Sequence, residues 1–196
     1  MIAWDRALRE HGISVPLWRI HRHIGVGGDQ MVARVAGDDA ERRAGDAVRE
    51  TESERYGELI GEVGPFPGAR QLLAELRDRS VGVVLASSAK QDEVEVYVDM
   101  LGARGFARWT TSADVEQTKP APDLIEVALE QAGTRDALVI GDTTWDAEAA
   151  SRAGVPAIGV LSGGFAATEL SEAGAIEVYE SVMELHEQID ESPLTG

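Results

Sequence analysis

Short apolar runs rich in β-branched residues alternate with amphipathic segments from Val81 onward, and this alternation restricts the possible fold more than any other feature. Apolar runs of this kind are typical of strands buried on both faces of a parallel sheet. Strands that alternate with amphipathic helices form βαβ units. The sequence therefore predicts an α/β protein with a doubly wound, Rossmann-like parallel sheet, whose strands cover residues 81–86, 108–111, 137–140, 157–161 and 176–179.

The first third of the chain has a different pattern, in which no strand period occurs. Apolar spacing, glycines and capping residues predict helices over residues 3–11, 16–24, 29–35 and 38–60. We therefore predict an all-helical subdomain over residues 1–62 and a Rossmann-like core over residues 63–196.

Composition excludes several classes of protein. No apolar run approaches the roughly 18 residues of a membrane span, and charged residues occur too early for a signal peptide. The chain has no cysteine, which excludes disulfides and thiolate chemistry. We therefore expect a cytoplasmic protein. The formal net charge of -17 disfavours nucleic acid and anionic membranes as partners, and a phosphate site would need a local positive charge or a metal.

Polar residues follow the first predicted strand. Ligands bind at the carboxyl ends of the strands in doubly wound sheets, so these residues are candidates for a site. Ser87 and Ser88 offer hydroxyls and backbone N–H groups at the start of a helix, where phosphate commonly binds. The alternative is that one of the two serines simply caps that helix.

A lysine on a rigid loop follows the second predicted strand. Of the 18 basic residues, only Lys90 and Lys119 are lysines, which suggests positions where a compact ammonium is required. Pro120 disfavours a helical conformation at Lys119. We expect Lys119 to neutralise a phosphoryl group as a point charge. The alternative is an exposed loop lysine.

Two acids follow the third predicted strand. Asp142 ends the strand and Asp146 lies where the next helix begins, so both carboxylates could face one site. Paired carboxylates suit Mg²⁺, which prefers oxygen ligands. The alternative is that Asp142 or Thr143 caps the helix.

These three sites together resemble the haloacid dehalogenase superfamily, in particular its phosphoglycolate phosphatase-like and β-phosphoglucomutase-like members with a helical cap. Ser87 resembles the motif II residue that binds the transferring phosphoryl group, and Lys119 in Lys-Pro-Ala-Pro-Asp resembles motif III. Residues 141–146 resemble motif IV, whose acids, here Asp142 and Asp146, hold Mg²⁺. The resemblance implies a Mg²⁺-dependent phosphatase acting on a small phosphorylated metabolite, with residues 1–62 as the cap.

The resemblance fails at one motif. Family members carry Asp-x-Asp-Gly-Thr on the first core strand, where one acid is the nucleophile and the other the general acid and base. Nothing in this sequence matches it, and Asp5 lies in a helical pattern without a partner acid. We therefore expect the first core strand to be absent, the chain to be a fragment beginning at Met1, and the chain as printed to have no appreciable turnover.

Substrate choice and alternative functions stay open. The resemblance places substrate contacts in a cap loop near Arg22 and His23, whereas a surface or packing role is the other interpretation of this histidine. Alternative functions are a haloacid dehalogenase, a catalytically inactive phosphate- or partner-binding module, and a receiver-type signalling domain. The acid pair argues against the dehalogenase, which has no need of Mg²⁺.

Overall fold

The computed structural model describes residues 1–115 and 117–194, which divide into two compact units, Met1–Val63 and Gly64–Gly196. Each unit has its own core. Among the described residues, no helix is long and apolar enough to cross a membrane.

The first unit is built from helices. In α1, Ala3, Trp4, Ala7 and Leu8 are buried, and their spacing puts them on one face of the helix. The second helix is shorter than predicted, because the residues after His21 form turns. The helices are α1 (Ile2–Glu10), α2 (Leu17–His21), α3 (Gly28–Ala36) and α4 (Asp38–Leu59).

The second unit alternates strands with helices, as the sequence predicts. Its strands are β1 (Val83–Leu85), β2 (Ala107–Trp109), β3 (Val139–Gly141), β4 (Ala157–Val160) and β5 (Ala175–Tyr179). Its helices are α5 (Ala69–Asp78), α6 (Gln91–Leu101), α7 (Asp123–Ala132), α8 (Thr144–Ala153), α9 (Ala167–Glu172) and α10 (Val182–Glu187).

All five strands pair in parallel, but they form two sheets rather than one. The first sheet is β1-β2, and the second is β3-β4-β5. Helices lie on both faces of β4: Ile158 belongs to an apolar cluster with Leu72 of α5 and Leu185 of α10, whereas Gly159 faces Leu170 of α9. Helices on both faces of a parallel sheet are the doubly wound arrangement that the sequence predicts.

The first strand begins later than predicted, because the chain before it completes the end of α5. Ser80 has a left-handed backbone (φ 62) and donates to the Arg77 carbonyl (2.9 Å), while the Val81 N–H donates to the Leu76 carbonyl (2.8 Å). This pair of bonds is a Schellman motif. Because Val81 belongs to this motif at the end of α5, β1 starts only at Val83.

Candidate active site

Thr110, at the end of β2, is hydrogen-bonded to the loop that follows β1. The Ser87 N–H donates to Thr110 Oγ1 (2.9 Å), and the Thr110 hydroxyl donates to the Ser87 carbonyl (2.8 Å). Thr110 is fully buried, so this exchange of hydrogen bonds is shielded from water. Ser87 Oγ accepts from the Ala89 N–H (3.1 Å), which fixes the serine hydroxyl at the carboxyl end of β1.

The two serines after β1 do not cap the following helix. The N-cap residue of α6 is Lys90, and its side chain makes no capping hydrogen bond. The capping alternative for Ser87 and Ser88 is therefore wrong. Both serines are half-buried on the loop between β1 and α6.

Lys119 forms an ion pair with Asp146 in the first turn of α8. Lys119 Nζ lies 2.7 Å from Asp146 Oδ1, and the two side chains are only 16% and 15% exposed. The alternative of an exposed loop lysine is therefore wrong. Because the pair is largely removed from water, the attraction between its charges is screened much less than at the surface.

The other carboxylate oxygen of Asp146 is occupied by Thr143. Asp146 Oδ2 accepts from the Thr143 N–H (3.1 Å) and hydroxyl (2.7 Å), while Thr143 Oγ1 accepts from the Asp146 N–H (3.3 Å). These bonds form a capping box at the start of α8. Gly141 is required here, because a Cβ at this position would overlap the Asp146 side chain.

The charge state of Asp146 follows from these contacts. Burial alone would raise the pKa of its carboxyl group. The charge of Lys119, together with hydrogen bonds from Lys119 and Thr143, outweighs burial and holds the pKa of Asp146 below its ordinary value. Asp146 is therefore an anion whose contacts fix the position of the Lys119 ammonium.

Asp142 directly follows β3 and has a different environment. Ser162, just after β4, donates its hydroxyl to Asp142 Oδ2 (3.2 Å). Gly163 packs against the Asp142 carbonyl so closely that a Cβ would overlap it. Burial and the nearby Asp146 charge raise the pKa of Asp142, whereas Ser162 and Lys119 act in the opposite direction. Thr143, not Asp142, is the N-cap residue of α8.

These strand-end residues are brought together. Ser87, Lys119 and Asp146 line the same cavity, and Asp142 interacts electrostatically with both Asp146 and Lys119. The site thus combines a backbone loop with a hydroxyl, a buried ammonium and two carboxylates. Such a set can bind an anion beside Ser87 and Lys119 and a cation beside Asp142.

The chemistry of the donors fits Mg²⁺ at Asp142. Mg²⁺ is usually held through one or two carboxylates, several waters and substrate phosphates, so a single protein carboxylate is a reasonable part of such a site. Both oxygens of Asp146 already accept hydrogen bonds from Lys119 or Thr143. Within residues 1–115 and 117–194, no three His, Cys, Asp or Glu side chains come together as a metal-binding group.

Arg22 and His23 lie in the first unit, in the turn after α2. His23 Nδ1 lies 2.8 Å from the Arg19 carbonyl oxygen, a contact within that unit. Their part in substrate choice stays a prediction.

Two residues of the site were missed by reasoning from the sequence. Thr110 follows β2 and Ser162 follows β4, so both stand at the carboxyl ends of strands. The sequence pattern predicts Thr110 within the strand itself and makes no prediction for Ser162. The sequence signal for Ser162 is a hydroxyl residue directly after the apolar run 157–161, whereas Thr110 follows a strand that contains Arg108 and has no such signal.

The chain matches the family model described as haloacid dehalogenase-like hydrolase over residues 3–160. It is 29% identical over 170 residues to a phosphoglycolate phosphatase from Pseudomonas putida, covering 82% of this chain and 62% of that protein. It is 25% identical over 177 residues to a phosphoglycolate phosphatase from Rhodospirillum rubrum, covering 85% of this chain and 73% of that protein. The chain thus spans less than two thirds of the Pseudomonas putida relative.

Solved structures agree with the fold. A hydrolase from Pseudomonas syringae superposes with a TM-score of 0.90 at 33% identity, covering 97% of this chain and 89% of that one. A β-phosphoglucomutase from Clostridium difficile superposes with a TM-score of 0.82 at 19% identity, covering 97% of this chain and 87% of that one. At that identity the second match bears on the fold alone.

Proposed function

Because the chain belongs to the haloacid dehalogenase-like hydrolase family, we propose that it forms the phosphate- and metal-binding part of a Mg²⁺-dependent phosphomonoester hydrolase acting on a small phosphorylated metabolite. The observation that carries the proposal is the buried Lys119–Asp146 ion pair, which lines the same cavity as Ser87. The names of the phosphoglycolate phosphatase relatives make a small phosphorylated acid the first substrate to test.

The phosphoryl group would bind between Ser87 and Lys119. Thr110 and Ala89 hold the Ser87 loop in place, so its hydroxyl and the nearby N–H groups need little reorganisation when an anion binds. Ser88 is the second phosphate-binding candidate on this loop. Lys119 would neutralise charge on the equatorial oxygens as it develops.

The two acids would have different tasks. Asp142 would be the metal ligand, oriented by the hydroxyl of Ser162. Asp146 would act mainly through Lys119, because both of its oxygens are used inside the protein. A bound Mg²⁺ supplies charge neutralisation and orientation at the phosphoryl oxygens. That Asp146 also ligates the metal stays a prediction.

Hydrolysis through a covalent intermediate needs a nucleophilic carboxylate beside the phosphate. We propose that this acid attacks phosphorus, that the alcohol leaves with a proton from a second acid, and that water then cleaves the aspartyl-phosphate. That a segment with Asp-x-Asp-Gly-Thr precedes Met1 in the complete protein stays a prediction, as does the inactivity of the chain as printed. The genomic sequence upstream of Met1 tests the first of these directly.

The first unit would act as the cap. Its role would be to exclude water during phosphoryl transfer, and Arg22 and His23 would select the substrate. These roles rest on the resemblance to capped family members. Exchanging Arg22 for methionine should raise KM for an anionic substrate more than it lowers kcat.

Turnover of p-nitrophenyl phosphate and of phosphoglycolate tests the proposal, in a protein extended to the next in-frame upstream start. Lys119→Met should lower kcat by about a hundredfold or more, since it removes charge stabilisation of the transition state. Lys90→Met is the matched control, because this exposed lysine is the only other one in the chain. Equal activity of the two variants would refute the role of Lys119. If the extended proteins bind phosphate but none of them turns over substrate, the chain would instead be a phosphate-binding module.

A further inference from the structure

The lysine of the candidate site lies in a tight turn, residues 118–121. The Ala121 N–H donates to the Thr118 carbonyl (3.1 Å), which makes Lys119 and Pro120 the two central residues of the turn. Every residue of the turn is half-buried. We call residues 118–121 the lysine turn. Because the turn belongs to no strand or helix, its position depends on contacts with neighbouring elements.

One contact joins the loop around the lysine turn to α7. The Gln117 N–H, just before the turn, donates to Asp123 Oδ2 (3.1 Å), and Asp123 is the first residue of α7. This bond connects the two ends of the loop and does not involve the central residues, Lys119 and Pro120. The position of those two residues therefore depends on other contacts.

Helix α8 contacts both central residues of the lysine turn. Lys119 Nζ lies 2.7 Å from Asp146 Oδ1 in the first turn of α8. Arg152 Nη1, in the last turn of α8, donates to the Pro120 carbonyl (2.8 Å). The two contacting residues of α8 are separated by about 9 Å along the helix axis. Two contacts at this separation fix the orientation of the lysine turn as well as its distance from α8.

The guanidinium of Arg152 is itself oriented by a second partner. Its Nη2 lies 3.3 Å from Glu148 Oε2, one turn earlier on α8. A guanidinium presents its donors in a rigid fork, so it can contact Glu148 and the Pro120 carbonyl at the same time. A role confined to the helix would be the attraction between this positive charge and the carboxyl end of α8. Only the bond to Pro120 connects Arg152 with the lysine turn.

We infer that Arg152 is a positioning residue: by binding the Pro120 carbonyl, it keeps the lysine turn against α8 and so sets the place of the Lys119 ammonium. Asp142 directly precedes the N-cap residue of α8, so the same helix determines where this carboxylate lies. Arg152 thereby helps to fix the spacing between the lysine and the acid proposed to bind Mg²⁺. The effect on turnover rests on the proposed function, whereas the position of the turn does not.

NMR of the lysine side chains in the full chain tests the position of the turn. Only Lys90 and Lys119 are lysines, so labelling with ¹⁵N-lysine gives two ammonium groups, and the exposed Lys90 serves as reference. Arg152→Met should raise hydrogen exchange of the Lys119 ammonium and of the Ala121 amide about fivefold, because the turn leaves α8 more often. Exchange of the Val139 amide, at the start of β3, should stay unchanged.

Three variants separate the bond to Pro120 from other roles of Arg152. Arg104 is equally exposed, at 51%, and pairs with Asp99, so Arg104→Met is the matched control and should change neither exchange rate. Glu148→Gln removes the ion pair but not the bond to Pro120, and should change the rates by less than about twofold. Arg152→Lys keeps a charged donor for one carbonyl, and should restore both rates to within about twofold of the wild type.

Hydrolysis of p-nitrophenyl phosphate by the extended protein measures the consequence for the site. Arg152→Met should lower kcat by about five- to tenfold and change KM by less than about twofold, because a misplaced ammonium stabilises the transition state less. Arg152→Lys should recover most of kcat. A purely structural role would instead lower Tm and leave kcat per folded protein unchanged.

The inference would be overturned by unchanged exchange at Lys119 and Ala121 in Arg152→Met, by equal changes in Arg104→Met, or by changes of the same size in Glu148→Gln. An Arg152→Met protein with faster exchange in the lysine turn but the kcat of the wild type would also overturn it. If exchange changes as expected while no extended protein turns over substrate, the proposed function alone is refuted, and Arg152 still positions the lysine turn.

Discussion

Replacing Asp146 by asparagine removes the carboxylate charge that lies 2.7 Å from the largely buried Lys119 ammonium. The substitution keeps the size of the side chain and an oxygen that can accept from Thr143, so the main loss is the ion pair of 2.7 Å. Both partners are about one-sixth exposed, at 16% and 15%. The pair therefore resembles a buried ion pair more than a surface one.

Removing one partner of a buried pair typically costs about 3–5 kcal/mol, because the remaining charge is left uncompensated. We expect Asp146→Asn to lower the free energy of unfolding of the second unit by about 3 kcal/mol, at the lower end because some water reaches the pair. For a chain of this size, about 2–4 °C of Tm corresponds to each kcal/mol, so Tm should fall by roughly 10 °C.

A double-mutant cycle in urea isolates the pair. Asp146→Asn, Lys119→Met and the double variant should give a coupling free energy of about 2–3 kcal/mol. Asp99→Asn is the control, because Asp99 forms an ion pair with Arg104 in which both side chains are more than half exposed, and exposed pairs add little to stability. A coupling below about 1 kcal/mol, or equal losses for Asp146→Asn and Asp99→Asn, would refute the reasoning.

Three further predictions concern other features of the second unit. Ser80→Gly should raise the free energy of unfolding by about 0.5–1 kcal/mol in urea titrations, because Ser80 holds a left-handed backbone that glycine adopts without strain; a loss of stability would contradict this. Thr110→Val should lower the free energy of unfolding by about 1–3 kcal/mol, because the N–H and carbonyl of Ser87 lose their buried partner, while Thr134→Val, at an exposed loop threonine, serves as a comparison expected to cost less. The depressed pKa of Asp146 stabilises the folded chain above the pKa of this group in the unfolded state, and the stabilisation is lost as pH falls through the folded pKa. Below about pH 4 the wild-type chain should therefore lose stability more steeply than Asp146→Asn. Parallel slopes of the two proteins in acid urea titrations would contradict this prediction.

The architecture of the second unit could be predicted from the sequence because it depends on short-range patterns. Each apolar run predicted a strand, and each of these strands is present with a shift of no more than about two residues at its start, the usual uncertainty of element ends. The shift at β1 comes from the Schellman motif at Ser80, whose left-handed serine has no clear sequence signal.

The sequence predicts Ser87, Lys119 and Asp146 as polar residues at strand ends, and the structure brings them to one cavity. Their roles in binding stay predictions. The spacing of Asp142 and Asp146 predicts that both carboxylates could face one site, but spacing cannot say which hydrogen bonds each oxygen accepts. The pairing of Lys119 with Asp146 joins residues far apart in sequence, so only the folded chain reveals it.

The contacts that hold the site in place could not be predicted. Thr110 exchanges two hydrogen bonds with Ser87, at 2.9 Å and 2.8 Å, and Ser162 donates one to Asp142, at 3.2 Å. Hydroxyl residues after strands are common, and their partners depend on how neighbouring loops pack. The sequence gives candidates for such contacts, whereas the pairing itself is a property of the tertiary structure.

The central proposal is that Ser87, Lys119 and Asp142 form the phosphate- and metal-binding part of a phosphomonoester hydrolase. The most direct test is a paired assay of p-nitrophenyl phosphate hydrolysis with Mg²⁺, on the chain as printed and on the chain extended to the next in-frame upstream start. We predict turnover by the extended chain only, and its loss in the extended Asp142→Asn variant. Turnover at similar rates by both chains would contradict the account.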